Sequence, residues 1–413
     1  MLSTFKIKNF KSIVDAQINF AFDEGKAPNG YKESSMLTFL EPKKKCRYVP
    51  CFAVYGANAS GKTNIIRALS TFKILITNRI ENLYMPNKLN SKFNTTFFEL
   101  SFFVRAKKYT YGLEYNEQSI VHEYLKCDES KIYEIHQQCA DFSGIVQKSY
   151  TAQRMEEVLN VECRDVNKLQ KITFLNRLAT NYSGLSEQVA DVYKEILFNI
   201  EIYPFNSMPF SFGLDKLAAS SADNFADIKR AFLKITELLQ KLDIDIKRMD
   251  LERNVQKIPN PAGMSVISKD DIYSYHSDIN GNDVIFNFME ESEGTQVLAG
   301  LLGLFLSALE GGKVLIIDEL ERSLHPLLLI EIIKLFKDKR YNKSSAQLIF
   351  TAHNTDILDR DLLRLSEIAI VRKTLSQGTT VRKISSFEGI RNVTNFRKQY
   401  LNGAFSGIPH AYI

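Results

Sequence analysis

Gly56-Ala57-Asn58-Ala59-Ser60-Gly61-Lys62-Thr63-Asn64 is the stretch that decides the fold. It follows an apolar run, residues 49–55, and leads into residues 65–69, where apolar side chains recur at helical spacing. The pattern G-x-x-x-x-G-K-T between a strand and a helix predicts a phosphate-binding loop. Its glycines let backbone N–H groups face an anion, and the following helix N-terminus adds a positive dipole end. The alternative is an ordinary Gly-rich turn, which the placement of both glycines disfavours.

The loop predicts a binding site for a nucleoside triphosphate and Mg²⁺. Lys62 is expected to reach the β- and γ-phosphates, and the Thr63 hydroxyl is expected to ligate Mg²⁺. The other loop residues predicted to contact the nucleotide are Gly56, Asn58, Ser60, Gly61 and Asn64.

Residues 313–319 supply the acidic half of the site. They form an apolar run that ends in Asp318 and Glu319, as expected for a buried parallel strand whose carboxyl end faces a ligand. Asp318 is predicted to hold Mg²⁺ through its water shell, and Glu319 to act as the general base on the attacking water. An Asp-Glu helix cap is the alternative, which the phosphate loop upstream makes less favourable.

Two weaker signals flank this strand. Ser292 and Gly294 begin a predicted helix, where they form either an anion site or a plain N-cap. His353 follows the predicted strand 347–351, at the sheet edge where the γ-phosphate is expected. We therefore interpret His353 as a phosphate sensor rather than as a structural histidine.

Composition is that of an ordinary soluble globular protein. The chain has 413 residues, 45% of them hydrophobic and 24% charged, with a net charge of +5 that neither demands nor excludes nucleic acid. No apolar run approaches the roughly 20 residues that span a bilayer, and no signal peptide is evident, so we expect a cytoplasmic protein without a membrane partner. Five cysteines without a C-x-x-C pair favour reduced thiols and disfavour zinc.

The chain divides into three predicted parts. Residues 1–150 are strand-rich, with two strands around a turn at residues 9–12, a helix over 63–80 and an antiparallel meander over 97–136. Residues 151–256 are predicted to be helical, and one apolar stripe runs from Phe225 to Ile246 behind N-cap candidates at Ser221 and Asp223. That stripe is either a docking face or, as we favour, a face packed on a neighbouring element.

Residues 257–413 return to alternating elements. We expect a loop at 258–263, strand character over 272–289, a helix over 295–309, a strand at 314–317, a helix from residue 326 and a strand at 347–351. Such alternation indicates a largely parallel sheet. The predicted fold class is therefore α/β, a mixed sheet with an antiparallel lobe plus a parallel core and an inserted α-helical domain.

These elements, in this order, resemble the ABC-type P-loop ATPases. The resemblance is closer to the non-transporter branch of SMC-like, RecF-like and OLD (overcoming-lysogenisation-defect) proteins, and it covers roughly residues 1–126 and 280–413. It is carried by residues 5–13, which include Lys11, by 97–102 and 109–114, by 320–326 and by 351–355. Residues 400–409 are similar to the tail of stand-alone members found in prokaryotic phage-defence and abortive-infection systems.

The resemblance implies a role for each motif. Lys62 and Thr63 belong to Walker A, and Asp318 and Glu319 to Walker B, while Lys11 joins the nucleotide contacts. Ser292 and Gly294 fall in the signature that contacts the γ-phosphate of a partner subunit, residues 322–324 in the D-loop, and His353 at the switch histidine. Two features depart from the pattern: the signature reads Glu-Ser-Glu-Gly-Thr, and no Q-loop glutamine is found between Thr63 and Phe103.

The implied mechanism is an ATP-dependent homodimer, or a higher homo-oligomer, with two nucleotides between head-to-tail protomers. The first functional hypothesis is a phage-defence sensor or regulator. Only 60 residues, 354–413, follow His353, so we expect any nuclease or toxin activity to reside in a separate effector protein. The alternative is a RecF/SMC-like DNA-binding repair ATPase, whereas the inserted region and residues 5–13 disfavour a transporter subunit.

Nucleic acid remains a possible partner on the evidence of charge. From Arg360 onward the tail carries nine Lys/Arg against three Asp/Glu. This bias is either a phosphate-tracking surface or, as we favour, a basic solvated face.

Overall fold

A computed structural model describes residues 1–23, 37–41, 44–89, 92–136, 139–141, 171–181, 186–203, 225–241, 244–260, 263–390 and 395–405. The strands are β1 (Leu2–Phe10), β2 (Ile13–Asn19), β3 (Leu37–Glu41), β4 (Lys44–Tyr48), β5 (Cys51–Gly56), β6 (Thr96–Val104), β7 (Lys107–Tyr115), β8 (Ile120–Cys127), β9 (Ser130–His136), β10 (Cys139–Asp141), β11 (Ile200–Tyr203), β12 (Arg248–Asn260), β13 (Gly263–Ser277), β14 (Asp283–Asn287), β15 (Val314–Ile317), β16 (Gln347–Thr351), β17 (Ile368–Thr374) and β18 (Gly378–Lys383). The α-helices are α1 (Lys62–Thr77), α2 (Phe174–Asn181), α3 (Glu187–Lys194), α4 (Phe225–Gln240), α5 (Glu293–Gly311), α6 (Pro326–Lys337) and α7 (Phe396–Leu401).

One large mixed sheet organises the molecule. Its 13 strands lie in the order β10-β9-β8-β7-β6-β1-β2-β18-β17-β5-β16-β15-β11. From β10 to β18 neighbouring strands run antiparallel, whereas β17, β5, β16, β15 and β11 are parallel to one another. This confirms the predicted α/β class, with an antiparallel lobe joined to a parallel core.

The two halves of the sheet meet at a narrow seam. Strands β2 and β18 share a single registered pair, Ile13 with Gly378. The Thr379 amide also donates to the Ser12 carbonyl at 2.8 Å. This seam lies directly behind the phosphate loop.

Apolar side chains fill both faces of the parallel core. In β5, Cys51, Ala53 and Tyr55 enter a cluster with α4, α5 and α6, while Phe52 and Val54 enter a second cluster with α1 and the antiparallel lobe. This alternation follows from the two-residue period of a strand. Because both faces are covered, β5 and its neighbours read as continuous apolar runs in the sequence.

The inserted region is helical only in part. Residues 187–194 form α3, which passes through a π-helical turn into β11, and β11 pairs in parallel with β15 at the edge of the large sheet. Helix α4 ends at Gln240, so the stripe predicted to reach Ile246 was wrong at its end; Ile246 lies outside the helix yet is buried in the core. The candidate caps Ser221 and Asp223, like residues 152–170, lie outside the described residues.

The predicted loop at residues 258–263 was also wrong. Strand β12 continues to Asn260 and β13 begins at Gly263, so the two form a long antiparallel ribbon. Pro259 is compatible with this arrangement because β12 is an edge strand of the sheet β12-β13-β14, and the outward-facing positions of an edge strand donate no ladder bond. The division at residue 256 stays a prediction.

Helix α5 is unusually apolar. By length and composition it is the one described helix that could cross a membrane, with a mean hydropathy of 1.3 over an 18-residue window. However, 72% of that window is buried inside the protein. Its leucines pack in the core cluster with α4 and α6, which accounts for their number.

Candidate nucleotide-binding site

The phosphate loop connects β5 to α1 as predicted, and its two glycines are required by their surroundings. A Cβ on Gly56 would lie 2.3 Å from the Val371 carbonyl oxygen of β17. Gly61 has φ +107°, and a Cβ there would lie 2.3 Å from Thr379 Oγ1. The loop is therefore pressed against β17 and β18 at positions where only glycine fits.

A hydroxyl cluster at the seam supports the loop from behind. Thr379 Oγ1 donates to the Ser60 carbonyl at 2.9 Å and lies 2.8 Å from Ser12 Oγ. Asn64 Nδ2 donates to the same Ser12 oxygen at 2.7 Å. The Asn64 side chain thus belongs to the support of the loop, one layer behind its phosphate-facing surface.

Lys62 is the first residue of α1, and its side chain is almost fully buried. Its Nζ donates to the carbonyls of Gly56 (2.7 Å) and Ala57 (3.1 Å) and lies 3.5 Å from His353 Nδ1. Burial lowers the pKa of Lys62 to about 8, although nearby carboxylates, Asp318 foremost, act in the opposite direction. The ammonium is therefore positioned among acids and remains charged near neutral pH.

Asp318 and Glu319 lie at the end of β15, and Thr351 of β16 links them. The Thr351 hydroxyl donates to Asp318 Oδ1 at 2.6 Å and accepts from the Glu319 N–H at 2.7 Å. Glu319 itself adopts a left-handed backbone, φ 52° and ψ 52°. A non-glycine residue in this conformation is strained, and such strain is concentrated at functional sites.

His353 connects the two halves of the site. Its Nε2 lies 3.8 Å from Glu319 Oε1, while its Nδ1 approaches Lys62 from the other side. The His353 backbone N–H donates to Glu321 Oε1. The phosphate loop, the acidic strand end and His353 are thus joined by direct contacts.

The residues present fit a divalent cation. Asp318 is 3% exposed, and its Oδ2 has no hydrogen-bond partner among the described residues. A buried carboxylate oxygen without a partner is unfavourable unless something binds it, and carboxylate and hydroxyl oxygens are the ligands of Mg²⁺. Thr63 stands second in α1, half-buried, where its hydroxyl could complete the set.

The remaining predicted residues lie farther from this cluster. Ser292 caps α5, and its hydrogen bonds run to Thr295 of the same turn. Ser292 and Gly294 are exposed, and a Cβ on Gly294 would meet only Ser292 Oγ, at 3.9 Å. Asn58 is exposed on the loop, and Lys11 is half-buried with a positive φ. The side chains of residues 322 and 323 lie outside the described part.

Sequence reasoning missed the groups that hold this site together. Thr351 and Glu321 stand next to predicted residues, but their contacts depend on strand register and loop path. Thr379 and Ser12 are separated by more than 360 positions and meet at the seam. Of these residues, only Thr351 could have been suspected from the sequence. It ends β16, and Asp318 directly follows the neighbouring parallel strand β15.

Comparison with known proteins gives one family match. Residues 194–359 match the family described as "AAA domain, putative AbiEii toxin, Type IV TA system". The match covers less than half of the chain and includes Ser292, Asp318, Glu319 and His353, but not the phosphate loop. No match to a curated protein sequence was found.

Two solved structures are distantly similar. The SMC head domain from Thermotoga maritima is 14% identical, with 92% of this chain and 98% of that chain covered and a TM-score of 0.42. The Smc head domain with an extended coiled coil, bound to the C-terminal domain of ScpA and derived from Pyrococcus furiosus, is 12% identical, with 92% and 95% covered and a TM-score of 0.43. Likeness at this level adds nothing to the argument from geometry.

The family match and the assembled site agree on the class of protein. They support an AAA-type P-loop ATPase. The phosphate loop, which lies outside the matched segment, completes the site by its contact with His353.

Proposed function

We propose that the chain hydrolyses ATP between two copies of itself and acts as a sensor or regulator in prokaryotic phage defence. The observation that carries the ATPase proposal is the continuous path from Lys62 through His353 to Glu319, beside the buried Asp318 carboxylate. Phosphoryl transfer depends mainly on positioning and electrostatics, which this path provides.

Each residue on the path has a distinct task. Lys62 supplies positive charge to the phosphates, and Asp318 with Thr63 would hold Mg²⁺, which neutralises developing charge. Glu319 accepts a proton from the attacking water. With its left-handed backbone conformation, its carboxylate lies near the His353 ring. His353 orients the water and senses the terminal phosphate.

The signature explains why two copies are needed. Ser292 and Gly294 lie on the surface with open space around them, so they are available to another molecule. A helix N-terminus with exposed N–H groups favours a phosphate. We infer that Ser292 and Gly294 of one protomer complete the site of its partner, so that ATP stabilises the dimer and hydrolysis releases it.

Replacing Glu319 by Gln tests the proposal. The amide cannot accept the proton, so turnover is expected to fall by at least a hundredfold while ATP binding persists. The variant should therefore accumulate as an ATP-bound dimer, measured by light scattering with and without ATP. Lys62→Ala is the control, because it should lose both binding and dimerisation. A Glu319→Gln protein that stays monomeric in saturating ATP contradicts the dimer.

Control of a separate nuclease or toxin is the further part of this proposal. Its support is the description of the family matched by residues 194–359, which names a putative toxin and a type IV TA system, together with the resemblance to stand-alone defence ATPases. Co-purification of the Glu319→Gln variant with proteins encoded beside it, in ATP and in ADP, tests whether an effector is held in one nucleotide state.

DNA clamping is the second candidate, favoured by the basic tail. Much of that charge has an internal use: Arg364 is buried against Glu367, Lys383 pairs with Asp23, and Arg397 pairs with Asp356. Exposed Arg372 and Lys373 on β17 remain as candidates for phosphate contact. Salt-dependent retention of labelled DNA, measured with ATP and without it, decides between this role and effector control.

A further inference from the structure

The loop that precedes α5 is held by a buried carboxylate. Glu291, immediately before Ser292, accepts hydrogen bonds at Oε1 from His276 Nε2 at 2.6 Å and from the Ser274 hydroxyl. Both donors lie on β13. The Glu291 side chain is 12% exposed and Ser274 is fully buried, whereas the His276 side chain is 27% exposed. The Ser274 contact is therefore the better protected of the two.

Helix α5 holds the same loop from the opposite side. The amide of Gln296, itself buried, donates to the carbonyls of Met289 (2.9 Å) and Glu291 (2.7 Å). Residues 289–291 are thus fixed between β13 and α5. The direction in which the chain enters Ser292 is set by these contacts, since the hydrogen bonds of Ser292 itself only close the helix cap.

The donors to Glu291 stand at the base of the long ribbon formed by β12 and β13. Strand β14 pairs there as a third strand, with Ser274 opposite Phe286 and His276 opposite Val284. The His276 and Phe286 rings meet edge to face, with centroids 5.2 Å apart. His276 therefore has one defined orientation, from which its Nε2 reaches Glu291.

We propose that Glu291 is a positioning residue, which His276 and Ser274 hold in place so that Ser292 and Gly294 close on the partner's nucleotide. The inference rests on the proposed function and deepens it, because it makes the ribbon base part of the ATP site. Placement matters because reacting groups displaced by about 1 Å can cost about a hundredfold in rate. We call Glu291, His276 and Ser274 the clamp. None of the contacts described for these residues reaches the phosphate loop of the same chain. The clamp is therefore expected to affect turnover and dimer closure rather than the first binding of nucleotide.

Variants of the clamp test this. Glu291→Ala and His276→Ala are expected to lower kcat about tenfold and to weaken ATP-dependent dimerisation in the Glu319→Gln background. Their affinity for a fluorescent ATP analogue, measured on the monomer, should stay within about twofold of the wild type, because Lys62 and its loop are unchanged. His276→Gln should recover most of the turnover, since its amide N–H can still donate to Glu291.

Ser274→Ala is a further test of the clamp, and Ser277→Ala is its matched control. Both serines lie on β13, but Ser277 is exposed and pairs with Asp283 rather than approaching Glu291. Ser274→Ala should lower kcat and Ser277→Ala should not. Melting temperatures of all variants show whether the fold is intact.

The outcomes separate the clamp from the wider proposal. The positioning role of Glu291 is wrong if Glu291→Ala turns over ATP at the wild-type rate. It is also wrong if kcat and nucleotide affinity fall by the same factor, or if His276→Gln is as slow as His276→Ala. If the wild-type protein neither hydrolyses ATP nor dimerises with it, the proposed function fails, whatever the clamp variants do.

Discussion

Thr351 is the residue whose single hydroxyl fixes both acids of the site. It is fully buried, donating to Asp318 and accepting from the Glu319 amide. Thr351→Val keeps the shape but removes both hydrogen bonds that the hydroxyl makes, at a cost of about 1–3 kcal/mol. We expect turnover to fall at least tenfold, measured as phosphate release. Thr351→Ser, which keeps the hydroxyl, should remain close to the wild type; equal losses in both variants would contradict this role.

The pKa of Lys62 makes a second prediction at this scale. Because burial lowers that pKa to about 8, the ammonium is present below this pH and is lost as the pH rises through it. Phosphate binding favours the charged form, so above pH 8 binding must take up a proton and ATP affinity should fall by up to about tenfold per pH unit.

Titration with a fluorescent ATP analogue at about pH 7.5 and about pH 9.5 measures this loss. Lys62→Ala serves as the control for non-specific signal, because it should bind no analogue at either pH. If the ATP affinity of the wild type is the same at both pH values, the prediction is wrong. In that case the nearby carboxylates raise the pKa of Lys62 by more than burial lowers it.

Among the elements, α2 is joined to the antiparallel lobe by one buried acid. Glu123 of β8 accepts from the Tyr111 and Tyr133 hydroxyls, at 3.0 and 2.8 Å, and from the backbone amides of Phe174 and Leu175, at 2.7 and 2.8 Å. Burial raises the pKa of Glu123, against the effect of these four donors. Glu123→Ala leaves all four without this acceptor, and we expect it to lower the free energy of unfolding by about 3 kcal/mol or more.

Denaturant unfolding measures that loss, with Glu134→Ala on the neighbouring strand β9 as the control. Glu134 forms partly exposed pairs with Lys131 and His122, so its removal should change stability by no more than about 0.5–1 kcal/mol. A Glu123→Ala protein as stable as this control would mean that α2 is held by apolar packing alone.

Most elements could be predicted because their patterns are local. The turn before β2, the helix after Lys62 and the strand before Asp318 each combine an apolar period with a strong start or stop signal. The ribbon of β12 and β13 could not, because Pro259 and Gly263 are typical of a loop and only an edge position makes Pro259 compatible with a strand. Strand β11 is four residues long, and its place in the sheet depends on pairing with β15, more than 100 positions away.

For the whole molecule, the decisive test concerns Ser292, which has no described contact with Lys62, Asp318, Glu319 or His353 of its own chain. Ser292→Arg places a long cation on an exposed helix N-terminus, where it leaves the core and the phosphate loop unchanged. We expect nucleotide affinity to be retained and turnover to fall at least tenfold, because the partner's site cannot close. Binding and phosphate release measured on one preparation check this; undiminished turnover would place the signature outside the reaction.

The spacing of the motifs does not show the proposed division of the site between two chains, which only the resemblance implied. Spacing predicted Lys62, Asp318, Glu319 and His353 individually, and strand order brings them together in one chain. Nothing in the pattern around Ser292 indicates whether it approaches Lys62 of its own chain or of another. The path of α5 supports the proposed approach to another chain, because it buries its leucines in the core and leaves its N-terminus exposed.

The seam between β2 and β18 has a thermodynamic consequence. Strands β2 and β18 of the two half-sheets share one registered pair there. The Ser12 and Thr379 hydroxyls meet across the junction, and the Thr379 hydroxyl also donates to the Ser60 carbonyl of the phosphate loop. A ligand that orders the loop therefore also favours the joined state of the half-sheets, and by reciprocity any force that parts them weakens the ligand's hold. If nucleotide orders that loop, nucleotide affinity and cohesion of the sheet are linked, and tension on the antiparallel lobe would then weaken nucleotide binding.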